Sequence, residues 1–391
     1  MKKILIDYTA DFTYAALTED GELLELVAEP TGRPSKVGNI YAGLVQAILP
    51  SRFAFIDIGE DRNAFLTLDD AKEAGVNLKN GSHVLVQVTK DAAGEKGAAV
   101  TTQLSFATGN MVVYKAENGR TGVSHKIEDS AERARLKEAA AGFKPKDYGM
   151  ILRTDCMGME AGALAAEFLE LSALSEKIYR EGNFAKPPSV VLAETAERKI
   201  LNGFKNFDKV IINRESARAE VSLALKNMGY EILEVREGEP LLSEFEAQIE
   251  RALAKKLWMK SGGFIIIEQT EACAVIDVNS GKFSGGGAER TQQSAALKIN
   301  LEACVEIAKQ IRLRNLSGMI IVDFIDLREA EDKARLKSAF AAELKKDSAS
   351  VNLVGMTELG LMQLTRKRTR PPLAECLTRE CPACGGSGRV K

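Results

Sequence analysis

Three polar residues near the ends of two apolar segments are the first candidates for chemistry. Asp277 and Asn279 close the segment 272–279, and Asp323 lies in the apolar run 319–325. Because Asp277 and Asn279 are two residues apart on a predicted strand, their side chains point to the same face. Carboxylates beside a neutral amide suit a hard cation such as magnesium, which takes one or two carboxylates together with water and phosphate oxygens.

A predicted helix between these segments can bring the three side chains together. Apolar residues recur every three or four positions from Leu297 to Ile311, which is the period of a helix. Two strands joined by a helix favour parallel pairing with a right-handed crossover, so both strand ends meet at one rim. A glycine-rich loop, with Gly281 and the run 285–287, precedes the helix.

A purely structural role for the two aspartates is the alternative. Aspartates are common at strand ends, where Asp277 and Asp323 could cap their strands or pair with Arg312 and Arg314. The residues by themselves leave the catalytic and the structural interpretation equally open.

Four segments in this region resemble those of the ribonuclease E/G family, and the similarity extends through essentially the whole chain. They are EACAVIDVNS (271–280), NLEA (300–303), RLRNLSG (312–318) and VDFID (322–326). The resemblance implies that Asp277 and Asp323 hold magnesium, and that Asn279 supports the scissile phosphate or a metal-bound water. It therefore favours the catalytic interpretation.

The composition is that of an ordinary globular protein. The 391 residues are 45% hydrophobic and 28% charged, and their number predicts two or three domains. No apolar run approaches the ~18 residues of a membrane span. The first residues, Met1 to Leu5, lead into a polar stretch rather than a signal peptide, so we expect a cytoplasmic protein.

The charge and the histidine content restrict the kind of site that is possible. A net charge of −2 provides no general attraction for nucleic acid, so RNA binding has to rely on local basic patches. Only His83 and His125 are histidines, which argues against a histidine general base or a histidine zinc cage.

Five short strand signals between residues 36 and 106 predict a small OB-type barrel. The segment resembles the S1-type RNA-binding barrel of the same family. The resemblance implies that Phe55 and Phe65 stack on bases and that Lys90 and Lys96 are basic positions nearby. Such stacking contributes about 1–3 kcal/mol per base. The alternative is that both phenylalanines belong to the barrel core.

The run 153–159 predicts an anion site at the start of a helix, because an arginine and a hydroxyl there can hold a phosphate. The resemblance implies that the ligand is an RNA 5′-monophosphate, bound by Gly109, Val113, Arg153 and Thr154. The alternative is a helix cap with a surface arginine. Family members carry a further basic residue at the position of Ser350, so we expect a weak preference for the monophosphate.

Four cations lie within five residues at Arg366, Lys367, Arg368 and Arg370. A solvated face is the usual explanation of such a run. Because this run lies close to the proposed metal site, we predict that Arg366, Lys367 and Arg368 contact RNA phosphates.

Cys381 and Cys384 form one Cys-x-x-Cys motif, which is half of a tetrahedral zinc site. Cys376 is the only other cysteine nearby. The resemblance implies that the motif pairs across two protomers, so that a shared four-cysteine zinc site links a homodimer.

The sequence thus predicts an α/β and α+β multidomain fold. The resemblance implies that an OB-type barrel is inserted in a ribonuclease H-like subdomain, and that a DNase I-like catalytic domain and a zinc-link follow. The predicted boundaries are 1–35 and 188–252 for the ribonuclease H-like subdomain, 36–108 for the barrel, 109–187 for the 5′-phosphate sensor, 253–375 for the catalytic domain and 376–391 for the zinc-link.

The predicted function is magnesium-dependent endonucleolytic cleavage of single-stranded RNA, in RNA processing and decay and in rRNA maturation. The resemblance implies products with 5′-phosphate and 3′-hydroxyl ends. The alternatives are a non-catalytic RNA-binding adaptor and a metal-dependent phosphodiesterase that acts on DNA.

Overall fold

The computed structural model describes most of the chain. The described residues are 1–32, 35–92, 96–201, 203–204, 207–228, 230, 233–270, 272–281, 289–368, 370–379, 381–384 and 388. Gly285, Gly286 and Gly287 of the predicted glycine-rich loop lie outside them. In the described part, no helix is long and apolar enough to cross a membrane.

The strands are, in chain order, β1 (Lys2–Tyr8), β2 (Phe12–Glu19), β3 (Glu22–Pro30), β4 (Ile40–Leu49), β5 (Phe53–Asp57), β6 (Ala64–Thr67), β7 (His83–Lys90), β8 (Ala99–Thr101), β9 (Ser105–Ala107), β10 (Met111–Lys115), β11 (Thr121–Val123), β12 (Tyr148–Leu152), β13 (Ser189–Leu192), β14 (Lys209–Ile212), β15 (Leu233–Val235), β16 (Lys256–Trp258), β17 (Phe264–Gln269), β18 (Cys273–Asn279), β19 (Gly318–Asp323), β20 (Val351–Met356) and β21 (Met362–Arg366). The α-helices are α1 (Leu68–Glu73), α2 (Ser130–Ala141), α3 (Ala161–Phe184), α4 (Ala196–Leu201), α5 (Arg218–Asn227), α6 (Glu246–Leu253), α7 (Glu289–Leu313), α8 (Ala330–Leu344) and α9 (Leu373–Leu377).

The chain forms two compact units. Unit 1 comprises Met1–Arg33, Gly203–Ser222 and Glu231–Lys391, and unit 2 comprises Pro34–Asn202 and Leu223–Tyr230. The chain contains both helices and strands throughout its length, and the mixed α/β composition predicted from the sequence is confirmed.

A closed five-stranded barrel lies in unit 2. Strand β4 pairs with both β5 and β7, and the circuit is completed by β6 and β8. Alternate residues of β5 and β6, including Ala54, Ile56 and Leu66, are fully buried inside it. Because the circuit of five strands is closed, the predicted barrel is a self-contained support for side chains on its outside.

Strand β13 departs from the sequence prediction. Residues 188–252 were expected to complete one subdomain with residues 1–35, but β13 pairs antiparallel with β4 in unit 2. Val191 and Leu192 pack against the same apolar core as helix α3 and strand β4. Strand polarity and hydrophobicity do not distinguish between two sheets that both offer a free edge, so the sequence pattern could not settle this partner.

A second sheet of unit 2 has the order β11-β12-β10-β9 and is covered by α2 and α3. Leu164, Phe168, Leu171 and Ile178 of α3 are spaced by four, three and seven residues, so they lie on one helix face and enter the core. This packing fixes the end of β12, where Arg153 follows.

The N-terminal strands of unit 1 form a sheet of order β15-β14-β1-β2-β3. Ile4 and Ile6 lie opposite Val210 and Ile212 in the parallel pair of β1 and β14. A strand from later in the chain, β14, thus extends the sheet that β1, β2 and β3 begin.

The second sheet of unit 1 has the order β16-β17-β18-β19-β21-β20. One face packs on α7 and α8, where Ile276, Val322 and Phe340 are fully buried. Strands β18 and β19 are parallel and are joined through α7, as the strand, helix and strand pattern predicted.

An ion pair is buried beside this sheet. The guanidinium of Arg366 lies 2.8 Å from the carboxylate of Asp347, and both side chains are at most 5% exposed. Arg366 also donates to the Asn315 side chain and the Leu316 carbonyl. The prediction that Arg366 contacts RNA phosphates is wrong, because its guanidinium is buried and bonded within the protein.

We expect Arg366→Ala to lower the free energy of unfolding of unit 1 by about 3–5 kcal/mol, since it leaves a buried carboxylate without its partner. Urea denaturation followed by the fluorescence of Trp258, the only tryptophan, measures this. Lys346→Ala is the control, because Lys346 pairs with Glu343 at an exposed position, where such pairs contribute about 0–1 kcal/mol. Equal effects of the two substitutions would contradict the assignment.

Candidate active site

Asp277 and Asp323 lie opposite each other at the ends of two adjacent strands. They are register partners in the parallel pair of β18 and β19, whose strands run about 4.8 Å apart. Their neighbours Ile276, Val278 and Val322 point into the core, so the two carboxylates lie on the opposite, open face. The Asn279 amide donates to Asp277 Oδ2 at 2.7 Å, which brings all three predicted residues together.

The two carboxylates repel each other, and this repulsion contributes to a raised pKa of Asp323. Partial burial raises the pKa of Asp323, and the negative charges of Asp277 and Asp326 raise it further. A cation between Asp277 and Asp323 would relieve the repulsion. Two carboxylates suffice for magnesium, which fills its remaining positions with water and phosphate oxygens. Within the described ranges no cluster of three or more His, Cys, Asp or Glu offers a protein-only metal cage.

One form of the structural alternative for the aspartates was pairing with Arg312 and Arg314. Arg314 instead donates to the Gln310 side chain and to the Ala254 carbonyl. Nη1 of Arg312 is buried and has no hydrogen-bond partner among the described residues. The charges of Asp277 and Asp323 are therefore not neutralised by these arginines.

Asn300 positions the segment after β19, and sequence reasoning assigned it no role. Its amide donates to the Ile325 carbonyl at 2.7 Å, and its oxygen accepts from the Ile325 N–H at 3.0 Å. Asn300 is completely buried in helix α7. The sequence did contain a signal for this role, because Asn300 lies on the apolar side of the helical pattern. A buried amide needs hydrogen-bond partners for both its NH2 group and its oxygen. The contact links helix α7 to the chain two residues beyond Asp323.

The phenylalanines of the barrel form a cluster on its outside. Phe55 and Phe65 are register partners on β5 and β6, with ring centroids 6.5 Å apart. Phe53 lies 4.6 Å from Phe65. All three rings are partly exposed, since their neighbours occupy the interior, so the alternative that they form the barrel core is wrong. Lys90 and Lys96 are exposed in the same unit.

Three of the four residues predicted to bind a 5′-phosphate converge. Arg153 donates through Nη1 to the Thr108 carbonyl at 2.8 Å, next to Gly109. Thr154 follows and contacts Asp155, whose carboxylate lies 3.4 Å from the position of a Cβ on Gly109. Asp155 is a member that sequence reasoning missed, and it places a negative charge beside the expected anion site.

Two details of this pocket differ from the prediction. The side chain of Val113 is fully buried in the core of unit 2, so any contact of Val113 with a phosphate would have to come from its backbone. The run 153–159 does not open a long helix, because Thr154–Cys156 form a single 3-10 turn and α3 begins at Ala161. The positive φ of 74° at Gly158 separates the two. A favourable helix N-terminus therefore does not add to this site.

A sequence model of the ribonuclease E/G family matches residues 106–369, which include the two carboxylates and the Arg153 pocket. The chain belongs to the ribonuclease E/G family. Ribonuclease G of Haemophilus influenzae is 34% identical, over 100% of this chain and 84% of its own length. Ribonuclease G of Escherichia coli K12 is 32% identical with the same coverage. Ribonuclease E of the same organism is 32% identical over 100% of this chain and 39% of its own length.

The basic run of this ribonuclease E/G family member is divided between the interior and the surface. Lys367 and Arg368 are exposed, and Arg368 donates to the Ser317 hydroxyl at 3.3 Å. Inward and outward side chains alternate along strand β21, and its last residue, Arg366, points inward. Two of the three cations predicted to contact RNA thus remain accessible.

The two cysteines of the predicted zinc-link are described, with Cys381 exposed and Cys384 half-buried. Hydrogen bonds from the Ala383 and Cys384 backbone lower the pKa of the Cys381 thiol, and Cys384 adds a side-chain contact. A lowered pKa favours the thiolate, which is the form that binds zinc. One chain supplies two such ligands at this place, and structural zinc takes four.

Proposed function

We propose that this protein is a magnesium-dependent endoribonuclease that hydrolyses single-stranded RNA to 5′-phosphate and 3′-hydroxyl ends. Membership of the ribonuclease E/G family makes it an endoribonuclease. The observation that carries the proposed metal dependence is the register of Asp277 and Asp323, which places two carboxylates side by side on an open sheet face. The biological setting would be RNA processing and decay, including rRNA maturation, in the cytoplasm.

In the proposed mechanism Asp277 and Asp323 would hold the cation. Bound magnesium supplies an activated water and stabilises charge on the phosphate. Asn279 donates to Asp277, which fixes the orientation of that carboxylate and leaves the amide near the scissile phosphate. Asn300 fixes the backbone beyond Asp323, so that its carboxylate keeps its place at the strand end.

Binding of RNA is assigned to several surfaces. The exposed rings of Phe55 and Phe65 would stack on bases, and Lys90 and Lys96 would neutralise phosphates near them. Lys367 and Arg368 would do the same in unit 1. A non-catalytic adaptor would need these surfaces but not the paired carboxylates, and so it is the weaker hypothesis.

The finer domain assignments are also proposals. The barrel corresponds to an S1-type domain, the five-stranded N-terminal sheet to the ribonuclease H-like subdomain, and the sheet with α7 and α8 to a DNase I-like catalytic domain. Cys381 and Cys384 would form the zinc-link with the same residues of a second chain, which gives a homodimer.

We expect Asp277→Asn and Asp323→Asn each to abolish cleavage while RNA binding is retained, because the amide cannot supply the charge that the cation needs. Cleavage of labelled RNA and DNA oligonucleotides, with and without magnesium, combined with a binding assay, measures this. Asp332→Asn on helix α8 is the matched control. Near-normal turnover of either active-site variant would remove that residue from the mechanism, and cleavage of DNA alone would contradict the substrate assignment.

We expect one zinc ion per two chains. Metal analysis together with light scattering measures the ratio and the mass, and Cys381→Ser should release zinc and yield monomers. Cys376→Ser is the control, because Cys376 lies half-buried in α9 outside the motif. A zinc-free dimer, or a monomer with one zinc, would exclude the shared site.

We expect a weak preference for 5′-monophosphorylated RNA over 5′-hydroxyl RNA. Asp155 places a negative charge beside Gly109, and the resemblance implies a neutral Ser350 where family members carry a basic residue, a loss of about 1.5–3 kcal/mol or one to two orders of magnitude. Initial rates on two oligonucleotides that differ only at the 5′ end measure the preference. Asp155→Asn should increase it without changing the rate on 5′-hydroxyl RNA, whereas a strong preference in the unmodified protein would contradict this description.

A further inference from the structure

The open face of the sheet that carries Asp277 and Asp323 continues beyond the two carboxylates. Ile266 lies opposite Asp277 on one side and opposite Lys256 on the other. Phe264 lies opposite Asn279 and, on its other side, opposite Trp258. Residues paired in register project from the same face of a sheet. Strand β16, at the edge of the sheet, therefore presents Lys256 and Trp258 on the face of the candidate active site.

The burial of the intervening residues supports this arrangement. Leu257, between the two, is 1% exposed and belongs to the core with Ile265 and Ile276. Trp258 is 52% exposed, although tryptophan is usually a largely buried residue. The indole ring of Trp258 is thus exposed to water on the face where we propose that RNA is cleaved.

The three side chains at this edge are in contact with one another. The rings of Trp258 and Phe264 lie 5.1 Å apart with an interplanar angle of 59°. The ammonium group of Lys256 lies 4.3 Å from the centre of the Trp258 ring and 3.6 Å from that of Phe264. No ion pair joins Lys256 to a carboxylate in the part of the chain that the structure describes, so its charge is available to a phosphate.

We propose that Trp258, Phe264 and Lys256 form a nucleotide subsite of the active site, in which a base of the RNA substrate stacks on the indole and the ammonium group contacts a backbone phosphate. Two strand spacings, about 10 Å, separate this edge from Asp277, so the base belongs to a nucleotide that neighbours the scissile phosphate. The inference rests on the proposed cleavage at Asp277 and Asp323.

Single-stranded RNA is the occupant that fits the chemistry of this edge. Aromatic rings accept any base, and a cation beside them is complementary to the backbone charge. The same face runs without interruption, through Phe264 and Ile266, into the residues that would handle the phosphate. An acidic protein surface could also bind Lys256. Such a partner would not require that this edge be continuous with the two carboxylates.

Trp258 itself provides the measurement, since it is the only tryptophan of the chain. The full-length protein is titrated with an unstructured oligoribonucleotide in magnesium-free buffer without a chelator, so that the proposed magnesium-dependent cleavage does not occur and the proposed zinc-link is kept. We expect the emission of Trp258 to be quenched along the same curve as the anisotropy of the labelled RNA. Unchanged emission while the anisotropy rises would overturn the proposal.

Substitutions test the same point by affinity. We expect Trp258→Ala to weaken binding roughly 5- to 100-fold, with Trp258→Leu as a second variant that retains apolar bulk. Lys256→Gln should reduce the magnitude of the slope of log affinity against log salt concentration by about one, which corresponds to the loss of one phosphate contact. The controls are Met319→Ala, which is 54% exposed on the same face but at the far end of β19, and Lys333→Gln on α8. Equal effects of the variants and their controls would overturn the proposal.

The outcomes distinguish this inference from the proposed function. Magnesium-dependent cleavage that needs both aspartates, with no response from Trp258, leaves the proposed function intact and removes the subsite. Quenching by RNA in a protein that never cleaves it supports the nucleotide site and contradicts the proposed catalysis. Emission that changes with protein concentration but not with RNA makes this edge a contact between copies of the chain, which overturns the subsite.

Discussion

The hydrogen-bonded register between β18 and β19 is the constraint on which the candidate active site depends. Because the side chains of a strand alternate, a shift by one residue would turn one aspartate into the core and bring a core residue to the surface. Burial of Ile276, Val278 and Val322 opposes such a shift, since each would lose its apolar surroundings. The packing of α7 and α8 beneath the sheet therefore determines where the two carboxylates are, even though neither helix contributes one of them.

A second constraint holds the far end of the same sheet. Arg366 ends β21 and is bonded to Asp347 and to the adjacent residues Asn315 and Leu316, which come from two separate segments of unit 1. A buried arginine with this many partners holds these segments together, because each hydrogen bond fixes a chain segment that the sheet by itself leaves free. Asn300 does the same on a smaller scale for the segment after β19. Polar side chains in the interior thus set the backbone around a site whose own residues are on the surface.

Much of the fold and of the site followed from the sequence. The parallel strands with Asp277 and Asp323 could be predicted because the period of the apolar residues changes from strand to helix and back, and chain connectivity then fixes the pairing. The barrel followed from five short strand signals. Arg366 could not be assigned correctly, since a run of cations does not reveal that strand alternation turns one of them inward. Asp155 and Trp258 were missed for another reason, because their significance depends on neighbours that are distant in sequence or across a sheet.

The cluster of Phe53, Phe55 and Phe65 has a consequence for the thermodynamics of binding. The ring of Phe65 on β6 packs against those of Phe53 and Phe55 on β5, so their rotamers are restricted before any ligand arrives. An isolated exposed side chain loses about 0.5–1.5 kcal/mol of conformational freedom when a ligand immobilises it. Here that cost is largely met during folding of the barrel. A base that stacks on these rings meets a preorganised surface, and its binding carries a smaller entropic penalty than the exposure of the rings suggests.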